Sequence, residues 1–152
     1  TFCAECGARD VVADCMRAGL NGEGYTCTGC LERARRAIEL RAGLRQAIGS
    51  CEYYRHWLRG IYTQGVQYLA EQAGAYWLID AVMSHQNADA ARLAGFQLWT
   101  LKVRKDKSAT LTMQEDSGQP VRIRQDIEYT DFPLDEIQLY HIDGTLLLPS
   151  EY

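Results

Sequence analysis

Four of the six cysteines in this chain fall into two pairs of C-x-x-C spacing, Cys3 with Cys6 in "FCAECG" and Cys27 with Cys30 in "YTCTGC". Twenty residues separate the pairs, so the pattern is C-x2-C-x20-C-x2-C, at the edge of the four-cysteine zinc signature. Four thiolates around one Zn2+ make a closed tetrahedral site. The ion then has no open position for water, and it holds a small fold together instead of catalysing. Gly7 follows the first pair and Gly29 lies inside the second, where a residue without Cβ lets backbone N–H groups turn toward the sulfurs. Two other chemistries use the same ligands. A thiol redox pair wants a strand before the motif and a helix opening at its first cysteine, and the ten N-terminal residues offer neither. An iron–sulfur cluster is left open by four cysteines alone. The expectation is structural Zn2+ on Cys3, Cys6, Cys27 and Cys30, with Cys15 and Cys51 as small buried fillers.

Elsewhere the candidates for chemistry are His56, His85, His141, Asp80, Asp126, Asp131 and Glu136. A hydrolytic metal site wants two histidines on one helical face with a carboxylate; no histidine here has another near it, and Asp80 to His85 is i, i+5, out of line on a helix. Neither a P-loop, a G-x-S-x-G nor a G-x-G-x-x-G occurs. Cys51 and His56 could form a dyad, but that spacing suits packing better. No enzyme is expected. Two segments read instead as contact surfaces: "YYRHW" and "YTDFPLDE" supply Tyr53, Tyr54, Arg55, Trp57, Asp131 and Phe132, residue types that anchor interfaces, with Pro133 stiffening the second loop. Trp57 is also, with Tyr76, Trp77 and Trp99, an expected member of the aromatic core.

The elements that position these residues divide the chain in three. Residues 1–31 read as a zinc ribbon, with "VV" at 11–12 and "YT" at 25–26 flanking "GLNGEG", whose Asn21-Gly22 favours a hairpin turn. Residues 32–50 read as a connecting helix with Ala37, Leu40 and Leu44 on one stripe. Arginines at 33, 35, 36, 41 and 45 make it the one basic element, so Arg33, Arg36, Arg41 and Arg45 are the candidate contacts to nucleic acid. Residues 51–152 form an aromatic lobe. A short helix near 52–59, a turn at "RGIYTQG", a helix near 64–72 and a helix over 75–86 that is apolar nearly all round come first. From Phe96 the period drops to two, in "FQLWTLKV", "SATLTM", "VRIRQDIEY", "EIQLY" and "TLLL", with a "DG" turn at 143–144. The fold class is α+β: ribbon and helix, then a helical layer packed on an antiparallel meander sheet.

Sixteen Lys and Arg against 20 Asp and Glu give a net charge of −4, which argues against a protein that coats nucleic acid. The longest apolar runs fall short of the roughly 18 residues of a membrane span. With no secretory pattern at the N-terminus, the thiols are expected in the reducing cytoplasm.

The string "YYRHW...YTQGVQYLAEQAGAYWLIDAV", with "FQLWTLKV", "YTDFPLDEIQLY" and "LLLPSEY", resembles a bacterial family of unknown function met in phages, plasmids and other mobile elements. The resemblance covers residues 51–152 and implies the α+β lobe as a unit, without an activity; the ribbon stands outside it, as a fusion. Separately, "CAECG", "CTGC" and the following E-R-A resemble the cysteine knuckles of transcription regulators of conjugative elements, although the long coiled coil of those regulators is absent. Two functions follow as expectations. One is a small non-enzymatic protein of a phage or mobile element that binds and inhibits or regulates a host protein machine, such as a defence system. The other is a zinc-ribbon regulator that touches nucleic acid through the arginine helix.

Overall fold

The computed structural model describes residues 16–18, 25–47 and 52–152, with side chains over 29–47 and 52–152. The chain divides into two compact units, the division falling between Glu39 and Leu40. In the first, β1 (Met16–Ala18) pairs antiparallel with β2 (Tyr25–Cys27), Met16 opposite Cys27 and Ala18 opposite Tyr25. The strand facing "YT" is thus 16–18; residues 11–12, expected there, lie outside the described residues, as do Cys3, Cys6 and the Asn21-Gly22 turn. Helix α1 (Thr28–Leu44) follows β2 directly. Ala37 and Leu40 are its buried positions, as the apolar stripe requires, and Arg35, Arg36 and Arg41 are exposed.

In the second unit one seven-stranded sheet runs in the order β3 (Tyr53–Arg55), β4 (Ile61–Thr63), β9 (Thr145–Leu147), β8 (Glu136–Ile142), β5 (Phe96–Val103), β6 (Ala109–Gln114), β7 (Val121–Ile127). Three helices, α2 (Gln64–Ala73), α3 (Tyr76–Ser84) and the short α4 (Asp89–Arg92), complete it. The class is α+β as expected, but three expectations are corrected.

The expected helix at 52–59 is the hairpin β3–β4. Adjacent tyrosines favour extended backbone, Tyr54 stacks on Tyr62 across the pair at 5.7 Å, and the turn closes through the His56 N–H donating to the Gly60 carbonyl at 2.8 Å with Arg59 at φ 74°.

The sheet is no simple meander. β8 pairs with β5 and not with β7, and β4 runs parallel to β9. The run from Gln97 to Leu101 is buried throughout, so the backbone N–H and C=O groups along both edges of β5 must be paired, whereas β7 shows Arg122, Arg124 and Asp126 to solvent and suits an edge. The β8–β9 connection is the "DG" turn as read, with Asp143 at φ 48° and Gly144 at φ 79°, the pair of positive φ values of a two-residue hairpin.

The aromatic core is also redistributed. Trp99 is 1% exposed and Phe132 is fully buried, but Trp57 is 77% and Tyr76 44% exposed; Trp57 rides on the hairpin turn, and Tyr76 opens α3. Phe132 is therefore core and is withdrawn as a surface contact.

Leu69, Ala70 and Ala73 of α2 and Leu78, Ile79, Val82 and Met83 of α3 are buried with Trp99, Leu101, Leu111, Met113 and Leu139 of the sheet. Thr63 caps α2, its hydroxyl accepting from the Val66 N–H and donating to Glu151 at 2.6 Å. Glu151 also accepts from the Leu148 N–H at 3.0 Å, which ties the C-terminal turn to the start of α2. Among the described residues no helix is long and apolar enough to cross a membrane.

Candidate functional site

Helix α3 buries one face, and the expectation of an all-round apolar helix is corrected by the other. Trp77, Asp80, Ala81 and Ser84 recur at i, i+3, i+4 and i+7, one helical stripe, and all four line an open cleft of about 590 Å3. The opposite wall is the edge strand β7. Its Gln125 and Ile127 alternate with the exposed Arg124 and Asp126, so they face the helices, and the helical layer leaves them half-buried. The lining is completed by the hairpin turn, with Trp57 and Leu58, and by the loop after β7, with Tyr129, Thr130 and Asp131.

His85 fixes the β7 wall: its ring stacks on Trp99 at 5.7 Å and its Nε2 donates to Gln125 Oε1 at 2.8 Å. Behind Asp80 stands His56, whose side chain is 5% exposed. His56 Nδ1 accepts the Leu58 N–H at 3.1 Å, which leaves the proton on Nε2, and Nε2 donates to Asp80 Oδ1 at 2.6 Å. Both ring nitrogens are thus used, and no lone pair is left to take a substrate proton. Asp80 Oδ1 also accepts the Trp57 indole N–H at 3.4 Å, so His56 sets Asp80 and Asp80 sets Trp57. The lining holds two carboxylates, Asp80 and Asp131, and no Lys or Arg. Asp131 makes no hydrogen bond or ion pair with a described residue.

Of the sequence-predicted contacts, Trp57 and Asp131 meet at this cleft although 74 residues apart in the numbering of the chain. Tyr53, Tyr54 and Arg55 do not line it. They form the outer edge strand, where Tyr53 is 58% exposed and the Tyr54 hydroxyl donates to Glu52 at 2.9 Å, a bond that pushes its pKa up. Sequence reasoning missed Leu58, Trp77, Gln125 and Tyr129 as lining. The helical stripe of Trp77, Asp80, Ala81 and Ser84, polar and small residues breaking an apolar helix, was the readable signal for α3.

On the other sheet face Thr100, Thr112, Lys102, Arg104 and Arg124 line a second, more polar groove of about 490 Å3. Arg124 is paired with Asp126 at 3.2 Å, and Arg104 donates to Ser108 at 3.0 Å.

Cys27 ends β2 and Cys30 lies in the first turn of α1; the Cys3, Cys6 and Cys27 side chains lie outside the described residues. Among the described residues no group of three or more His, Cys, Asp or Glu side chains converges as a metal site. Arg33, Arg36, Arg41 and Arg45 all belong to α1 or the turn after it, and Arg36, Arg41 and Arg45 are exposed.

No curated protein and no solved structure matches the chain. A family model matches residues 38–152, so the match takes in all of the second unit and the last turns of α1, and the chain belongs to that family of unknown function (DUF6876).

Proposed function

We propose that this chain is a small non-enzymatic binding protein, a cytoplasmic factor of a phage or mobile element that inhibits or regulates a host protein machine such as a defence system, and that it grips its partner at the α3–β7 cleft. The observation that supports this most is the cleft itself, where the 77%-exposed Trp57 and the 65%-exposed Tyr129 stand beside two carboxylates. Large exposed aromatic residues grouped in one concave patch favour a contact surface. The use of both His56 nitrogens favours binding over acid–base work at the same place.

Structural Zn2+ on Cys3, Cys6, Cys27 and Cys30 belongs to the same proposal. In its support, the second pair sits at a strand-to-helix junction, where the N–H groups of a helix start favour thiolate. The ion would supply folding energy to the hairpin and the start of α1.

The alternative is a regulator that binds nucleic acid through the exposed Arg36, Arg41 and Arg45. The two separate by experiment. The purified chain is used to capture partners from host extract, the captured protein is produced on its own, and binding is remeasured with Trp57→Ala and with Arg36→Ala/Arg41→Ala. Loss of binding in Trp57→Ala alone is expected, with the thermal melt moving only a few degrees because the ring is exposed. Duplex binding at about 50 mM salt that vanishes by about 200 mM and depends on the arginines would put the regulator in its place.

A further inference from the structure

We infer that the cleft receives an arginine side chain of the partner protein, an inference that rests on the cleft being the contact surface. The charges of the lining are unbalanced. Asp80 and Asp131 contribute two carboxylates, and no cationic side chain is among the lining residues. Asp80 spends Oδ1 on His56 and Trp57, while its Oδ2 accepts from no described residue, and Asp131 pairs with none of them either.

The rings are placed to complement those carboxylates. The indole N–H of Trp57 points at Asp80 Oδ1, so the carboxylate stands at the rim of the ring while the face is left exposed. A guanidinium stacked flat on that face can direct its in-plane N–H donors to a carboxylate at the rim. His56, tilted against Trp57 at 5.6 Å between centroids, backs the indole, which holds the ring in position before a ligand arrives. Leu58, Ala81 and Ile127 offer apolar wall for the three-carbon stem.

A lysine or an alkylated ammonium fits less well. The cleft is an open groove rather than a box of rings, and an ammonium is a strongly hydrated point charge with no plane to stack. Tyr129 already carries a cation of the chain itself: Lys107 Nζ lies 5.8 Å from its ring centroid, and Lys107 is outside the lining. The stacking place for the partner is therefore Trp57.

The test uses the full chain and follows the indole N–H resonances of Trp57, Trp77 and Trp99 during titration with N-acetyl-arginine amide, N-acetyl-citrulline amide or N-acetyl-lysine amide. Citrulline keeps the shape and loses the charge. Arginine amide is expected to move Trp57 and Trp77 but not the buried Trp99, at a concentration about five-fold or more below that needed for citrulline amide, the size of one exposed charge interaction. The response should weaken in Asp131→Asn, a change that touches no intramolecular bond, and disappear at Trp77 in Trp57→Ala. Citrulline equal to arginine, lysine better than arginine, or no movement of Trp57 overturns the inference. If the amides fail but Trp57→Ala still abolishes binding to the captured partner, the contact surface stands and only its arginine occupant falls; if Trp57→Ala leaves that binding intact, the contact surface itself is wrong.

Discussion

Replacing Asp80 by alanine removes an acceptor that two donors share, and their surroundings set the cost of losing it. The His56 side chain is 5% exposed, and its Nε2–H loses its partner at 2.6 Å; a buried donor left unsatisfied costs about 1–3 kcal/mol. The Trp57 indole N–H loses a bond at 3.4 Å, but water reaches that exposed residue, so this part is worth little. No charge term is added, because the Asp80 side chain is 53% exposed and exposed ion pairs contribute little. Asp80→Ala should therefore destabilise by about 1–3 kcal/mol, and Asp80→Asn by about half as much, since its Oδ1 still accepts. Urea unfolding near neutral pH measures both. A cycle with His56→Phe isolates the pair, because phenylalanine has no donor to orphan, so Asp80→Ala should cost under about 0.5 kcal/mol in that background. Asp80→Ala within about 0.5 kcal/mol of the parent, or the same loss in both backgrounds, would refute the reasoning, and with it the view that His56 and Asp80 fix Trp57.

Gln97 is 3% exposed and makes four bonds: its Oε1 accepts from Gln86 and Trp99, each at 2.9 Å, and its Nε2 donates to Gln86 at 2.9 Å and the Ala91 carbonyl at 3.0 Å. Gln97→Leu strands the buried indole N–H of Trp99 and should lower stability by about 2–4 kcal/mol in urea unfolding. His141 is buried on β8, and burial lowers its pKa to about 4. Because the unfolded chain takes up the proton near pH 6.5 and the folded one does not, stability should be full above about pH 6.5 and fall by about 1.4 kcal/mol per pH unit on descent toward pH 4, reaching about 3 kcal/mol; His141→Gln should flatten this window in denaturant titrations across pH. Elemental analysis of protein purified without chelator should give one zinc per chain, lost in Cys27→Ser, while the fluorescence transition of the second unit persists after chelation. Iron in the visible spectrum, or less than half a zinc, would contradict the metal proposal.

Much of this molecule can be read locally. Period-two alternation found β5 to β9, helical spacing found α2 and α3, and Asp143-Gly144 announced its turn, because each of these signals is written within a few residues by backbone sterics and by which face meets water. Of the residues read as contacts in the two surface segments, only Trp57 and Asp131 reach the cleft, while Phe132 is core and Tyr53, Tyr54 and Arg55 lie on the outer edge strand. Other features are decided only in three dimensions. Tyr53 and Tyr54 became a strand because Ile61–Thr63 folds back to pair with them, and β8 took its place beside β5 because the backbone groups along both edges of a buried strand must be paired. Trp57 and Trp99 are the same residue type, yet one is exposed and the other is core. Burial of a side chain depends on what the rest of the fold lays over it, and that is a non-local quantity. The cleft has the same origin: the helices cover β7 only in part, and the groove left beside it brings Trp57, Asp80 and Asp131 into one lining.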